Sequence, residues 1–559
     1  MMLVPEYLPR PLALFMAIFI FPLQAHAQAP PQALEPLIRS FDAYQLDLER
    51  LDNVLNDVKK ASPNLKDQNI SPLLKELQPP LPQQLPRTTQ EVSIQGTVLV
   101  SLEQAVAIAL QNNPSLQQKI AEVTQSQGLL RSVRGRLYPS LSMQLGASYD
   151  QEGANYWAWK SNQYIFSKQS PFYVPDGGWL TFQSNESIGF AKLSLNYDLV
   201  SFQRTAALAA SKQDLVKAEQ AYGNQLRQLQ LDVSEAFYTL QLEDQKQRIR
   251  QVTVDNNQVI YDQIDNMKTV GLVPRVDLLR AKANLEQSKF LLQQAKANFL
   301  SAERLLSNLI NVPFDITLRA SQSVRLQPPW PFDMSETLIR GFENNPQLLE
   351  LQAARKALLN RADQQAAKLL PTVGLFAMAG FDASISEIPR LKSGGCCGAS
   401  VVPGLNQTSA DWSAGLVVKW DLFDAGITAG AVEATQAAAE RTLQEEAETR
   451  NKIRQDLESS FYQHKAALSL IIAANSAYEA AREAYRDTRA RFEFGFADYT
   501  DLSDTIRSLT LAMEQRAEAI TLANVSYAQL LRQLIPVPFD PTQSVELPIV
   551  VSNLGKIKG

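Results

Sequence analysis

The sequence predicts a mostly helical α+β chain built as a tandem duplication, each half joining two amphipathic strands to a very long helical hairpin. Three observations carry this: landmarks recurring in the same order, four segments with period-two alternation, and proline-poor stretches with apolar residues spaced by threes and fours.

The duplication is read from matched phrases. Gln111-Asn112-Asn113-Pro114 recurs as Glu343-Asn344-Asn345-Pro346, and Leu137-Tyr138-Pro139 as Leu369-Leu370-Pro371, both offset by 232 residues. Tyr197-Asp198-Leu199 recurs as Trp420-Asp421-Leu422 at an offset of 223; Phe237-Tyr238 returns as Phe461-Tyr462, and Gly271…Asp277 as Gly495…Asp501, at 224. Each half closes on nearly one phrase, Leu309-Ile310-Asn311-Val312-Pro313-Phe314-Asp315 and Leu534-Ile535-Pro536-Val537-Pro538-Phe539-Asp540. The offset falls by nine between Pro371 and Trp420, so the second half is shortened in one place. The halves are set at 98–315 and 334–540, with a linker at 316–333.

The strands are placed at 139–150, 188–200, 371–382 and 411–422. In the first, Leu141, Met143, Leu145, Ala147 and Tyr149 alternate with Ser140, Ser142, Gln144 and Ser148. In the last, Trp412, Ala414, Leu416, Val418, Trp420 and Leu422 alternate with Asp411, Ser413, Lys419 and Asp421; in the third, Phe376 and Met378 interrupt the polar side. Strands of about ten residues with one apolar face suit a transmembrane barrel. A soluble half-buried sheet alternates in the same way. The exported N-terminus and the aromatics Tyr149, Tyr197, Trp412 and Trp420, placed near strand ends, favour the membrane.

The helical hairpins are placed at 204–310 and 427–535. Between Arg204 and Met267 there is no proline, and Leu215, Tyr222, Leu226, Leu229, Val233, Phe237 and Leu240 form a coiled-coil seam. Such a helix reaches roughly 95 Å. The chain turns at Gly271 and Gly495, and neither hairpin is wide enough to bury a globular core alone. Four strands cannot close a barrel, and an open edge is not tolerated in lipid, so membrane-embedded strands demand several copies.

Composition narrows the function. The net charge is −5 in 559 residues, with Lys and Arg interleaved among Asp and Glu, which gives nucleic acid no electrostatic footing. Residues 1–27 read as a signal peptide: Arg10, an apolar core from Leu12 to Phe21, and a cleavage site at Ala25-His26-Ala27. Residues 28–97 form a proline-rich extension and 541–559 a tail. The two cysteines, Cys396 and Cys397, are adjacent; a vicinal disulfide and a pair of free thiols both stay open. No cofactor or metal site is expected, and with His464 the one histidine after the cleavage site, no catalytic motif supports an enzyme.

In its ordered motifs the chain resembles the TolC family of outer-membrane factors. The matching pieces are Ser101-Leu102-Glu103-Gln104-Ala105…Asn112-Asn113-Pro114, Leu137-Tyr138-Pro139, Gly271…Asp277-Leu278…Ala281, and Arg491-Phe492-Glu493-Phe494-Gly495…Asp501-Leu502…Asp504, spread over roughly 101–540. The resemblance implies a homotrimer whose strands pool into a twelve-stranded transmembrane β-barrel in outer-membrane lipid, continued by a long periplasmic α-helical barrel, with a mixed equatorial region around Pro313–Pro329 and Pro536–Val551. It implies an exit duct for efflux or type I secretion, served by an inner-membrane transporter (RND, ABC or MFS) and a periplasmic adaptor docking at the Gly271 and Gly495 turns. Asp501 and Asp504 match the family's aperture pair, and Asp277 its first-repeat tip aspartate; in a helix's first turn Asp is also favoured by the dipole alone. Two positions depart: Phe492 stands where a tyrosine partners that tip, and Ala497 replaces an arginine. The loop 151–186, rich in Tyr and Trp, either packs on itself or caps the pore, with packing on itself favoured. A periplasmic coiled-coil adaptor or structural protein remains the rival class.

Overall fold

Several of the recurring phrases, Asn113-Pro114, Asn345-Pro346, Gly271 and Gly495 among them, are helix boundaries. The computed structural model describes residue 79 and residues 85–534, apart from 158, 166, 170–172, 174, 322–323, 344 and 394–399. The signal-peptide reading, most of the proline-rich extension, Cys396 and Cys397, Asn344 and the closing segment from 535 onward lie outside the described residues.

After a first strand, β1 (Gly96–Val100), Ser101 opens α1 (Leu102–Asn112) with a reciprocal capping box: its hydroxyl accepts from the Gln104 N–H, and the Gln104 side chain accepts from the Ser101 N–H. Asn113 then caps α2 (Pro114–Gly135), accepting from the N–H groups of Ser115 and Leu116, while Pro114 occupies the first helical position, where no N–H is required. Next come strands β2 (Ser140–Trp157) and β3 (Trp179–Val200), helices α3 (Phe202–Thr269) and α4 (Arg275–Ile310), and a short β4 (Ile316–Ala320). The second half repeats the series: α5 (Met334–Phe342), capped by Asp333; α6 (Pro346–Ala366), capped by Asn345; β5 (Thr372–Ser393); β6 (Ser400–Lys419); α7 (Ile427–Glu493); and α8 (Tyr499–Leu534). The molecule is mostly helical with a minor share of sheet, in two matching halves. No described helix is long and apolar enough to cross a membrane, which says nothing of a barrel.

Two compact units contain these elements. One comprises Leu242–Leu300 and Leu468–Ile520; the other comprises the described parts of Lys59–Gln241, Ser301–Ala467 and Thr521–Gly559.

The larger unit holds two sheets. β1 pairs with β4 in parallel, Gly96 opposite Ile316, so the boundary at 98 falls inside a strand and the linker at 316–333 opens with one. The other sheet is an antiparallel meander in the order β2-β3-β5-β6. Its register aligns Met143, Leu193, Ala379 and Trp412 on one face, and Gln144, Lys192, Gly380 and Asp411 on the other. The apolar face is open: Leu141, Met143, Leu145, Leu416, Val418 and Trp412 are all exposed. The polar face is tied by Ser142 and Ser194, whose hydroxyls lie 2.8 Å apart, and by Lys192 facing Asp382 at 3.9 Å. Phe376, which breaks the alternation, lies over Gly415, and Phe190 lies over Gly146, where an added Cβ would meet the ring at 2.4 Å.

Two sequence expectations are corrected here. The strands run 18–22 residues, longer than the alternation indicates, because their outer stretches, such as 150–152 and 183–187, are polar on both faces and are held by the backbone ladder. The loop 151–186 therefore shrinks to 158–178; at its base Trp157 meets Trp179 edge-on at 4.7 Å, and among its described residues the Ser161 hydroxyl reaches the buried Tyr173 at 3.4 Å. Tyr149 and Trp412 sit well inside their strands, not near their ends, while Trp420 lies just beyond β6. In the pairing register Trp412 stands level with Met143, and Tyr149 stands level with Asn406.

The same unit buries Asn113 and Asn345. Asn113 Nδ2 donates to the Leu309 carbonyl at 2.8 Å, and Asn345 Nδ2 donates to the Gly341 carbonyl at 3.0 Å. The two repeated asparagines thus cap one helix and tie down the end of another.

The smaller unit is a four-helix segment cored by Ile249, Ile260, Ile264, Leu502, Ile506, Leu509 and Met513. Tyr478, Tyr485 and Phe492 recur every seven residues along α7, the spacing of a coiled-coil seam. Each fully buried side chain of this size contributes about 1.5–3 kcal/mol, which, more than helix propensity, holds such long helices.

Candidate functional site

The two hairpin turns have one geometry. α3 ends in a Schellman motif with Gly271 at φ 79°: the Leu272 N–H donates to the Met267 carbonyl at 2.9 Å, and the Gly271 N–H donates to the Lys268 carbonyl at 3.0 Å. α7 ends identically, with Gly495 at φ 76°, Phe496 N–H to the Arg491 carbonyl at 2.8 Å and Gly495 N–H to the Phe492 carbonyl at 3.1 Å. Glycine is needed at both positions because a left-handed backbone is costly for any residue with a Cβ. Both turns expose apolar side chains: Val270, Leu272 and Val276 at one, Phe494 and Phe496 at the other.

The acidic residues follow immediately. Asp277 lies in the first turn of α4 and Asp501 in the first turn of α8, where the helix dipole favours a carboxylate. They differ in surroundings. Asp277 is half-buried and paired with Arg280 at 3.5 Å. Asp504 is exposed and paired with Arg507 one turn on. Asp501 is exposed, its N–H donating to Asp498 Oδ1 at 2.9 Å, and among the described residues it makes no ion pair. Exposed pairs of this kind contribute about 0–1 kcal/mol each, so their weight lies in the local field.

The structure joins Asp277 to the start of α8 through residues that spacing alone does not reveal. Arg280 donates to the Thr500 hydroxyl at 3.1 Å, and Asn284 Nδ2 donates to both Tyr499 and Ser503 at 2.7 Å. Burial raises the Tyr499 phenol above its ordinary value; its hydrogen bonds with Asn284 and Ser503 oppose that, and the Asp277 carboxylate adds to it. The tyrosine in the field of Asp277 is therefore Tyr499. Phe492 is instead core, buried beside Tyr485 and Leu502, and Ala497 packs half-buried on the same cluster. Asp501 and Asp504 do not join this network. The i,i+3 spacing of Asp277 with Arg280 and of Asp504 with Arg507 was the available signal for the pairing.

Higher in the same unit, Arg250 meets Glu514 at 2.6 Å and Lys246 meets Glu518 at 2.7 Å. Burial pushes the Glu514 carboxyl above its ordinary value, and Arg250 and Lys246 pull it back. Among the described residues no group of His, Cys, Asp and Glu is arranged to hold a metal ion.

The model of a family described as outer membrane efflux protein matches residues 105–312 and 341–534, one match in each half. Solved structures give the same fold. The outer-membrane channel OprN aligns with a TM-score of 0.61 at 18% identity, covering 80% of this chain and 95% of that one. The outer membrane protein VceC of Vibrio cholerae gives 0.59 at 18% identity, covering 78% and 95%. The Campylobacter jejuni CmeC outer membrane channel gives 0.59 at 15% identity, covering 82% and 94%. No curated protein gives a match.

Proposed function

The chain belongs to the outer membrane efflux protein family, and from that premise we propose that it is the outer-membrane exit duct of a tripartite efflux pump or type I secretion system. The observation that carries the reading is the four-stranded sheet. Its edge strands β2 and β6, of 18 and 20 residues, have no partner among the described residues, and one of its faces is apolar and open. Lipid covers such a face, but it does not tolerate a free edge. Joining β6 of one copy to β2 of the next removes every edge, and three copies give a closed barrel of twelve strands.

In this reading the long helices form the periplasmic conduit. The apolar side chains at the Gly271 and Gly495 turns receive a periplasmic adaptor, and an inner-membrane transporter of the RND, ABC or MFS class supplies the energy. The duct itself is passive and catalyses nothing. Asp277, Asp501 and Asp504 from three copies ring the aperture, favouring cations and inviting block by multivalent ones. Since Arg280 and Arg507 offset two of the three carboxylates, the uncompensated charge of the ring resides on Asp501.

The test is the mass of the detergent-extracted protein by native mass spectrometry. Three copies recovered from the outer-membrane fraction are expected. A monomer soluble in the periplasmic fraction without detergent would reject the duct in favour of a coiled-coil structural or adaptor protein.

A further inference from the structure

Inside the smaller unit, between α3 and the α7–α8 pair, a cavity of about 10 Å³ is lined by Thr253, Asn256, Tyr485 and Thr510 together with three apolar side chains. That is at the lower limit of the room one water molecule requires, and four of the seven lining residues carry a polar side chain. The hydrogen bonding around it is incomplete in a particular way. The Thr253 hydroxyl donates back to the Ile249 carbonyl at 2.8 Å, and the Thr510 hydroxyl donates back to the Ile506 carbonyl at 2.8 Å. The two hydroxyl oxygens also lie 3.3 Å apart, where either can donate to the other, and each keeps acceptor capacity towards the cavity. Asn256, 1% exposed, accepts from the Tyr485 hydroxyl at 3.2 Å through Oδ1, while its Nδ2 has no partner. A buried, unpartnered N–H and two hydroxyl oxygens with acceptor capacity thus face one small space.

We infer that this space is a binding site for a single ordered water, which accepts from Asn256 Nδ2 and donates to Oγ1 of Thr253 and Oγ1 of Thr510. Three hydrogen bonds are the usual complement of a buried water. Turning the Asn256 amide over leaves the requirement in place, because an unpartnered carbonyl oxygen then takes a hydrogen from the same water. The water joins a helix of the first half to a helix of the second, with Tyr485 of α7 holding the amide. It is a link whose partners can be exchanged when the helices slide, where a direct side-chain bond would have to break. The site stands whether or not the chain conducts.

The experiment is a crystal structure of the full chain in detergent at a resolution that shows ordered water, for the parent and for Thr253→Val with Thr510→Val. In the parent, a single density peak is expected about 2.7–3.2 Å from Asn256 Nδ2, Thr253 Oγ1 and Thr510 Oγ1. The double substitution removes both acceptors at nearly constant shape, and the peak is expected to be lost. An empty cavity in the parent overturns the inference even if the variant does not fold, and so does a peak that persists unchanged in the variant.

Discussion

Asn113 and Asn345 are nearly buried polar side chains that each do two things, capping a helix with Oδ1 and binding another carbonyl with Nδ2. Replacing one by alanine removes a cap and leaves a buried carbonyl short of a donor. Asn345→Ala is therefore expected to lower stability by about 1–3 kcal/mol, read as a lower midpoint in denaturant; an unchanged midpoint would show that the repeated asparagine is not structural. Gly495 poses a different residue-scale demand, since alanine there must adopt a left-handed backbone at a cost of about 1–2 kcal/mol. Gly495→Ala is expected to speed amide exchange at Phe496, whose N–H closes the Schellman motif, and to leave the sheet unaffected. The acidic residues were legible as first-turn aspartates after a glycine, but their inequality was not. Arg280, Asn284 and Tyr499 meet only because α4 packs on α8, and sequence spacing carries no information about that contact.

At the scale of elements, legibility follows the strength of the local pattern. Wherever the strands carry their exposed apolar face, as from Leu141 to Tyr149, alternation is plain. Beyond Tyr149 both faces turn polar, the pattern vanishes, and the strand continues by pairing alone. The helices α2 and α6 are quiet for another reason. α2 buries only Leu116, Val123 and Leu130, a stripe one residue wide per seven, and α6 buries mainly the small side chains Ala353, Ala357 and Ala362. Within the sheet, Phe190 occupies the space above Gly146, so Gly146→Val is expected to displace the ring and lower the yield of the proposed trimer, read by native mass spectrometry in detergent. An oligomer formed at the parental level would mean that this packing is dispensable. At the helix starts, Arg507→Ala is expected to free Asp504 and strengthen cation block several-fold, whereas block no stronger than the parent's would show that Arg507 does not shield the aperture.

For the whole molecule, the duplication was visible from landmark order alone, because most landmarks serve a backbone need that both halves share, a cap, a left-handed turn or a strand entry, and Phe237-Tyr238 and Phe461-Tyr462 repeat an aromatic pair inside a helix. The expectation of several copies has an equally simple basis, since four strands cannot close a barrel. What the sequence leaves unstated is how the aspartates act once copies assemble. The measurement that tests the account most directly is planar-bilayer conductance of the detergent-purified protein, with multivalent cations added to one side. Discrete conductance steps are expected, blocked from one side only, with the block relieved mostly by Asp501→Ala and fully by Asp501→Ala with Asp504→Ala. The absence of steps in both the parent and the substituted protein would contradict the duct, and block unchanged by the double substitution would remove the aspartates from its aperture.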